Sequence, residues 1–341
     1  MALDEQTGAL AQRLARLGSV DYAHVTAAQY RELFWRMMAE ASGPAVVDAT
    51  AVVHRTRVVV PGPTTADIAL DVYRPHTAAR AAPAVVVLHG GGWVVGGPGV
   101  HDPLCRAVSS RTGAVTVGVD YRTAPEHRFP AALHDCLAAL DWVAAHAGRL
   151  GADPARLAVA GDSAGANLAA AVTLAVRDGG GPPLAAQALL CPFVDLRAGG
   201  VTDGGHDVAS LLSPAAARWF CDQYLGAHDP GDPLASPLCA ADLAGLPPAV
   251  VATAGHDPLR AQGRAYAGRL RRAGVEVRAL DFPALAHGFA GLGAVSEASA
   301  RAADQVWDAL GRLLGTPQPV GGSSARRGAT CHPADDTLRG S

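Results

Sequence analysis

Ser163 lies in the stretch LAVAGDSAGANLAAAVTLAV, residues 157–176, as a hydroxyl set between Gly161 and Gly165. An apolar run of strand length enters this Gly-x-Ser-x-Gly motif and a longer apolar run of helical character leaves it. In that context the motif reads as a nucleophile elbow, in which the serine occupies a sharp, strained turn between strand and helix. Side chains two positions to either side would collide with the neighbouring strand and helix, and the two glycines remove the collision. The same letters in a plain glycine-softened loop would carry no chemistry, so the reading rests on the flanking elements.

A serine hydroxyl is a weak nucleophile at neutral pH and needs a histidine base that an acid orients. In this setting the three residues follow the chain order Ser, Asp or Glu, His. Asp-Pro-Leu occurs at 102, 232 and 257. Asp102 precedes the serine, and Asp232 sits in an irregular Gly-, Asp- and Pro-rich stretch with no strand leading into it. Asp257 follows PAVVATAG, a strand signal that would fix a carboxylate at its end. Beyond it stand only His287 and His332. His332 is in a tail with little to bury, whereas His287 follows the strand-like VEVRALDF after a short loop and precedes Gly288 and Phe289. His256, adjacent to Asp257, is badly placed to be oriented by it.

Attack on a carbonyl also requires donors for the oxyanion. VVVLHGGGWVVGG, residues 85–97, sets Gly90, Gly91 and Gly92 directly after a strand, where backbone N–H groups can turn toward a substrate oxygen; each such donor is worth about 3 kcal/mol in the transition state. A dinucleotide fingerprint would need a glycine at Val95, and a phosphate-binding loop would need a lysine after its second glycine. The chain contains no lysine at all.

These residues need a scaffold that presents them at one edge. Residues 4–41 carry apolar residues at helical spacing, including Leu10, Leu14, Tyr30, Leu33 and Phe34. AVVHRTRVVVPG and DIALDVYRP read as two antiparallel strands opening a sheet. The runs AVVVLHG, AVTVGVDY, RLAVAGD, AQALLCP and AVVATAG then alternate with helical stretches, the pattern of a mostly parallel sheet covered on both faces. Residues 196–235 break the rhythm and hold one helix-like piece, SPAAARWFCDQYLG.

The 341 residues suit one α/β domain plus a cap, and the net charge of −3 gives no reason to expect nucleic acid or an anionic membrane. No run of 18 apolar residues suggests stable membrane insertion, and the start of the chain shows no secretory signal, so a cytoplasmic protein is expected. Six scattered cysteines suggest neither a zinc site nor a disulfide framework.

From about residue 68 to residue 290 the chain resembles the hormone-sensitive-lipase-like branch of the α/β-hydrolases, the bacterial family IV esterases. The resemblance is carried by HGGGW at 89, DYRTAPEHRFPAALHDC at 120, GDSAGANL at 161, SPLCAADLAGLPPAVVATAGHDPLR at 236 and HGF at 287. It implies an α/β-hydrolase fold with an eight-stranded, mostly parallel sheet flanked by helices and a helical cap. It also implies a triad of Ser163, Asp257 and His287, and oxyanion donors on Gly91, Gly92 and Ala164 with Gly90 shaping the loop. The residue 121–136 segment is structural in the family.

The expected layout is cap helices over residues 1–50, a catalytic domain over 51–315 with a cap insertion at about 196–235, and a disordered tail over 316–341. The implied activity is a cofactor-free, metal-free serine carboxylesterase acting on short- to medium-chain acyl esters of small molecules, a metabolite deacetylase among them. A dehydratase of secondary metabolism and a receptor-like binding protein are the alternatives on the same scaffold. Family members pair through the sheet edge or the last helix, which raises a homodimer. Trp219, Phe220 and Tyr224 would line an acyl pocket or anchor the cap. The chain departs from the family at Ala166, where a second glycine is usual, and at Ala261 and Gln262, where an acidic pair is frequent; the latter questions the support of the Asp257 loop.

Overall fold

The computed structural model describes residues 1–41, 53–64, 66–76, 78, 81–197, 200 and 211–316. Two helices, α1 (Glu5–Ala15) and α2 (Ala27–Ala41), precede an antiparallel pair of strands, β1 (Val53–Pro61) and β2 (Asp67–Pro75). There follow β3 (Ala82–Leu88), α3 (Pro98–Thr112), β4 (Val115–Asp120), α4 (Ala131–Leu150), β5 (Ala152–Asp162), α5 (Ala164–Gly179) and β6 (Leu184–Leu190). The chain closes with α6 (Pro214–Leu225), β7 (Ala249–His256), α7 (Arg260–Arg272), β8 (Val277–Ala286) and α8 (Glu297–Leu313).

The eight strands form one sheet in the order β1-β2-β4-β3-β5-β6-β7-β8. β2 is antiparallel to both of its neighbours and every other pair from β4 to β8 is parallel. The central strands are apolar throughout because both faces are covered. In β3, Val86 and Leu88 pack with Leu140 and Val143 of α4, Leu168 and Val172 of α5, and Leu270 of α7. The alternate residues Val85 and Val87 face the other way, toward Leu104 and Val108 of α3 and Val306, Trp307 and Leu310 of α8. Burying each such side chain contributes about 1.5–3 kcal/mol. Arg111 of α3 reaches Asp308 of α8 in a two-pronged pair at 2.6 and 2.7 Å, so those helices are joined by charge as well as packing.

β8 differs from its expected extent. It runs to Ala286, and His287 follows with no intervening loop. Pro283 reads in sequence as a strand end, yet β8 is the edge strand, and the missing N–H of a proline costs nothing on the side with no neighbour. The register shifts between Ala254 and His256 of β7, where Gly255 lies so close to the Pro283 carbonyl that a Cβ there would stand 1.9 Å from its oxygen.

Beyond the strand ends, α2 meets α6. Tyr30 lies 4.9 Å from Trp219 and 5.2 Å, edge-on, from Phe220, and Tyr22 lies 6.2 Å from Trp219. α1 is anchored separately: the Asp4 amide donates to Ala284 O at 2.8 Å, and Ser296 Oγ donates to Asp4 Oδ2 at 2.8 Å. Parts of the expected cap, residues 42–50, 198–199 and 201–210, and residues 317–341 of the expected disordered tail lie outside the described residues.

Candidate active site

Parallel pairing carries the ends of β3 and β5 through β8 to one edge, and the expected site residues follow those ends directly. Ser163 comes after β5, Asp257 after β7 and His287 after β8. His256 pairs with Ala286, which sets the acid and the histidine side by side.

Ser163 has φ 58° and ψ −115°, a conformation rare for a residue with a side chain, at the junction with α5. A Cβ on Gly161 would stand 2.2 Å from Gly165 O, and one on Gly165 would stand 2.0 Å from Leu88 O. The two glycines therefore permit, respectively, the approach of α5 to β5 and of α5 to the end of β3. The turn is held by the Ser163 amide donating to Leu190 O at 2.8 Å and by the Asn167 amide donating to Ser163 O at 3.0 Å. Ser163 does not cap α5 with its side chain. Ala164 is the first residue of that helix, where backbone N–H groups have no intrahelical acceptor.

His287 Nε2 is 2.8 Å from Ser163 Oγ, and His287 Nδ1 is 3.0 Å from Asp257 Oδ1. The second distance is that of an ion pair, without the alignment of a full hydrogen bond. Asp257 Oδ1 also accepts from the Leu259 amide at 2.8 Å, which fixes the carboxylate. Burial opposes a charge on His287, but the Asp257 carboxylate, assisted by Asp162, outweighs it and holds the imidazole pKa above its ordinary value. Asp162, the residue before the serine, is itself raised to about 6, chiefly by burial; His287 pulls it down and Asp257 pushes it up. Its Oδ1 is buried without a hydrogen-bond partner.

The glycine loop after β3 is pinned from two sides. His89 stacks on Tyr121 at 4.0 Å, and the Tyr121 hydroxyl donates to His89 O at 2.7 Å. Burial lowers the His89 pKa to about 4, so the ring is neutral and Nδ1, 2.8 Å from Gly90 O, carries the proton. Trp93 stacks on Tyr224 of α6 at 4.2 Å. Gly91 (φ 112°) accepts at its carbonyl from the Val94 and Val95 amides at 3.1 and 3.0 Å. Gly92 (φ 58°) is covered by the Phe220 ring, 2.2 Å from where a Cβ would sit. Tyr224 is thus an anchor, while Phe220 roofs the loop.

One neighbour of the trio lies outside the motifs. Cys191 follows β6 and lies beside the acid–histidine pair: its sulfur and the ligand atoms of Asp257 and His287 are all within 4.8 Å of one another. Among the described residues this is the one trio able to offer three ligand atoms to a metal. Burial, Asp257 and Asp162 push the thiol pKa well up, so it stays protonated, a state suited to facing a carboxylate and not to ligating a cation. Its position is set by β6 pairing between β5 and β7, which local sequence does not encode. Gln262, which stands where an acid is frequent, is buried; its Oε1 accepts from the Asp195 amide at 2.7 Å and its Nε2 donates to Gly200 O at 2.9 Å. An amide does at this position a bracing task that needs no charge.

Residues 85–291 match the family described as alpha/beta hydrolase fold. Carboxylesterase NlhH of Mycobacterium tuberculosis is 42% identical over 254 residues, which span 73% of this chain and 79% of that one. The arylesterase of Saccharolobus solfataricus is 37% identical over 245 residues, 67% of this chain and 73% of its own. Among solved structures, the hyperthermophilic esterase of Pyrobaculum calidifontis superposes with a TM-score of 0.82 at 35% identity, covering 92% of this chain and 99% of that one. An ester hydrolase from the Lake Arreo metagenome, solved in complex with a bipyridine phosphonate derivative, gives 0.81 at 35% identity over 93% and 100%. No helix among the described residues is long and apolar enough to cross a membrane.

Proposed function

The chain belongs to the α/β-hydrolase-fold family, in its hormone-sensitive-lipase-like esterase branch, and is a carboxylic ester hydrolase; on that premise we propose that Ser163, His287 and Asp257 carry the reaction. The observation that supports the assignment is the 2.8 Å contact between His287 Nε2 and Ser163 Oγ, with Asp257 3.0 Å from the other ring nitrogen.

His287 Nε2 takes the Ser163 proton as Oγ attacks the ester carbonyl. The carbonyl electrons move onto oxygen, where the amides of Gly91, Gly92 and Ala164 receive the charge and Gly90 shapes their loop. The intermediate collapses by breaking the bond to the alkoxide, which leaves with the proton from Nε2. A water then gives its proton to Nε2 and attacks the acyl carbon. The acid departs from Oγ, and Ser163 recovers the proton. Asp257 keeps the Nδ1–H tautomer and stabilises the imidazolium that forms in each half.

The substrates proposed are short- to medium-chain acyl esters of small molecules, turned over in the cytoplasm without a cofactor. The N-terminal helices and the α6 region form a cap over the 51–315 body, a division that the Tyr30, Trp219 and Phe220 contacts support. Neither an elimination nor a receptor role has a comparable observation in its favour. The test is hydrolysis of p-nitrophenyl acetate, butyrate, octanoate and palmitate by wild type and Ser163→Ala. Turnover of the shorter esters that falls by about 10⁴-fold or more in the variant is the expected result. Equal turnover by the two proteins would reject the serine mechanism.

A further inference from the structure

Arg31 of α2 makes four hydrogen bonds to the body beneath it. Its Nε donates to Val94 O at 3.0 Å, Nη2 donates to Ala124 O at 2.9 Å, and Nη1 and Nη2 donate to the two carboxylate oxygens of Glu126 at 2.7 and 2.6 Å. Val94 belongs to the glycine loop: its amide, with that of Val95, donates to Gly91 O. Ala124 belongs to the segment that braces the same loop, since its amide donates to Trp93 O at 2.8 Å. One planar guanidinium therefore ties α2 to one carbonyl of the turn that begins at Gly91, that of Val94, and to one of the segment that braces this turn, that of Ala124. Glu126 holds the fork in plane, the bidentate geometry that arginine supplies and lysine does not.

We propose that Arg31 is a positioning residue for ester hydrolysis, which transmits the seating of the N-terminal helices to the peptide planes of Gly91 and Gly92. The inference rests on the reading that those two amides receive the oxyanion. A pure packing role for α2 is already filled by Tyr30 against Trp219 and Phe220, on α6 and not on the loop backbone. Arg31 instead addresses the backbone carbonyl of Val94, two residues after Gly92 and three after Gly91, and that of Ala124, whose amide holds Trp93 O. Oxyanion donors tolerate little displacement, and misplacement by about 1 Å costs up to about 10²-fold in rate. Burial opposes the charge on Arg31 but the Glu126 hydrogen bond outweighs it and raises its pKa, while Arg31 holds the Glu126 carboxyl down at about 2, so the pair stays ionised across the working pH range.

The experiment compares wild type, Arg31→Ala, Arg31→Lys and Glu126→Gln on p-nitrophenyl acetate and octanoate, with thermal melting of each protein and the rate of inactivation by a p-nitrophenyl phosphonate. Arg31→Ala is expected to lose about tenfold or more in kcat on both esters, with KM within about threefold of wild type, and to be phosphonylated more slowly by a similar factor. Arg31→Lys recovers little of this because a single ammonium cannot reach two carbonyls and a carboxylate together. Glu126→Gln, which keeps both carbonyl bonds available, loses less. A rise in KM for octanoate alone with kcat unchanged would overturn the proposal, since Arg31 would then only seat the cap. So would a kcat loss in Arg31→Ala that Glu126→Gln and Arg31→Lys, melting like wild type, do not share in any measure. Ser163→Ala measured beside them separates the two levels: wild-type turnover in that variant rejects the serine mechanism itself, whereas an inactive Ser163→Ala with fully active Arg31 variants rejects this inference alone.

Discussion

The sheet edge and the proposed cap are held by different physics. At the edge, Ser163, Cys191, Asp257 and His287 each follow a strand by one residue, so the hydrogen-bonded register of β5 to β8 dictates their separations. In the cap, α2 and α6 meet through tilted aromatic rings, and one arginine fork ties α2 to the loop. Chemistry that fails with an error of 1 Å is placed on covalent extensions of the rigid sheet. The proposed boundary for the acyl chain rests on side chains that can change without moving a strand.

The sharpest way to break this contrast is Asp257→Asn, which leaves the edge backbone alone and alters only charge. His287 must be neutral to accept the serine proton, and its pKa is raised largely through Asp257, so activity in the wild type falls as pH drops through a value above that of a free imidazole. An amide removes that pull. We expect the plateau to drop by about 10⁴-fold, as the wrong tautomer predominates, and the acid limb of the pH–rate profile to move to lower pH. A limb that stays in place would show that Asp257 does not govern the base.

On the cap side, Phe220→Leu should alter selection without touching chemistry. The ring rests on Gly92 and is buried between the loop and Tyr30. Trimming it opens space beside the glycine turn, and the ratio of kcat/KM for octanoate to that for acetate should rise by about threefold to tenfold. An equal loss on both esters would place Phe220 with the loop and erase the distinction between the two regions.

The same contrast explains what could be read in advance. That Ser163, Asp257 and His287 meet at one sheet edge was legible because each follows a strand signal and because of their order along the chain. Strand existence was equally plain for the buried parallel strands, which have no polar alternation to blur them, and the antiparallel β1–β2 pair was marked by its Pro- and Gly-containing break. Cys191 was missed because its role depends on β6 lying between β5 and β7, an adjacency that no local pattern encodes. The end of β8 was misplaced because Pro283 is a break signal everywhere except on an edge. Arg31 was missed because two of its acceptors are main-chain carbonyls and its acid partner is 95 residues away.

Asp162 gives the smallest and most specific test of the edge. Its carboxyl is buried, one oxygen lacks a partner, and its pKa stands near 6 against an ordinary 3.8. A raised carboxyl pKa means that the native state holds this proton more tightly than the unfolded chain does. Between about pH 4 and pH 6 the unfolded chain binds fewer protons at this position, so stability falls as pH rises through that window. Asp162→Asn has no such titration, and the difference in urea midpoint between variant and wild type should grow in favour of the variant from pH 4 to pH 7. Because Asp162 also helps to raise the His287 pKa, the acid limb of activity should shift slightly downward in the same variant. An unchanged difference at both pH values would mean that Asp162 is solvated in the native state. The Arg31–Glu126 pair supplies the counterpart: Glu126 is exposed and Arg31 partly so, water screens their charges, and their removal should register in turnover far more than in the pH dependence of unfolding.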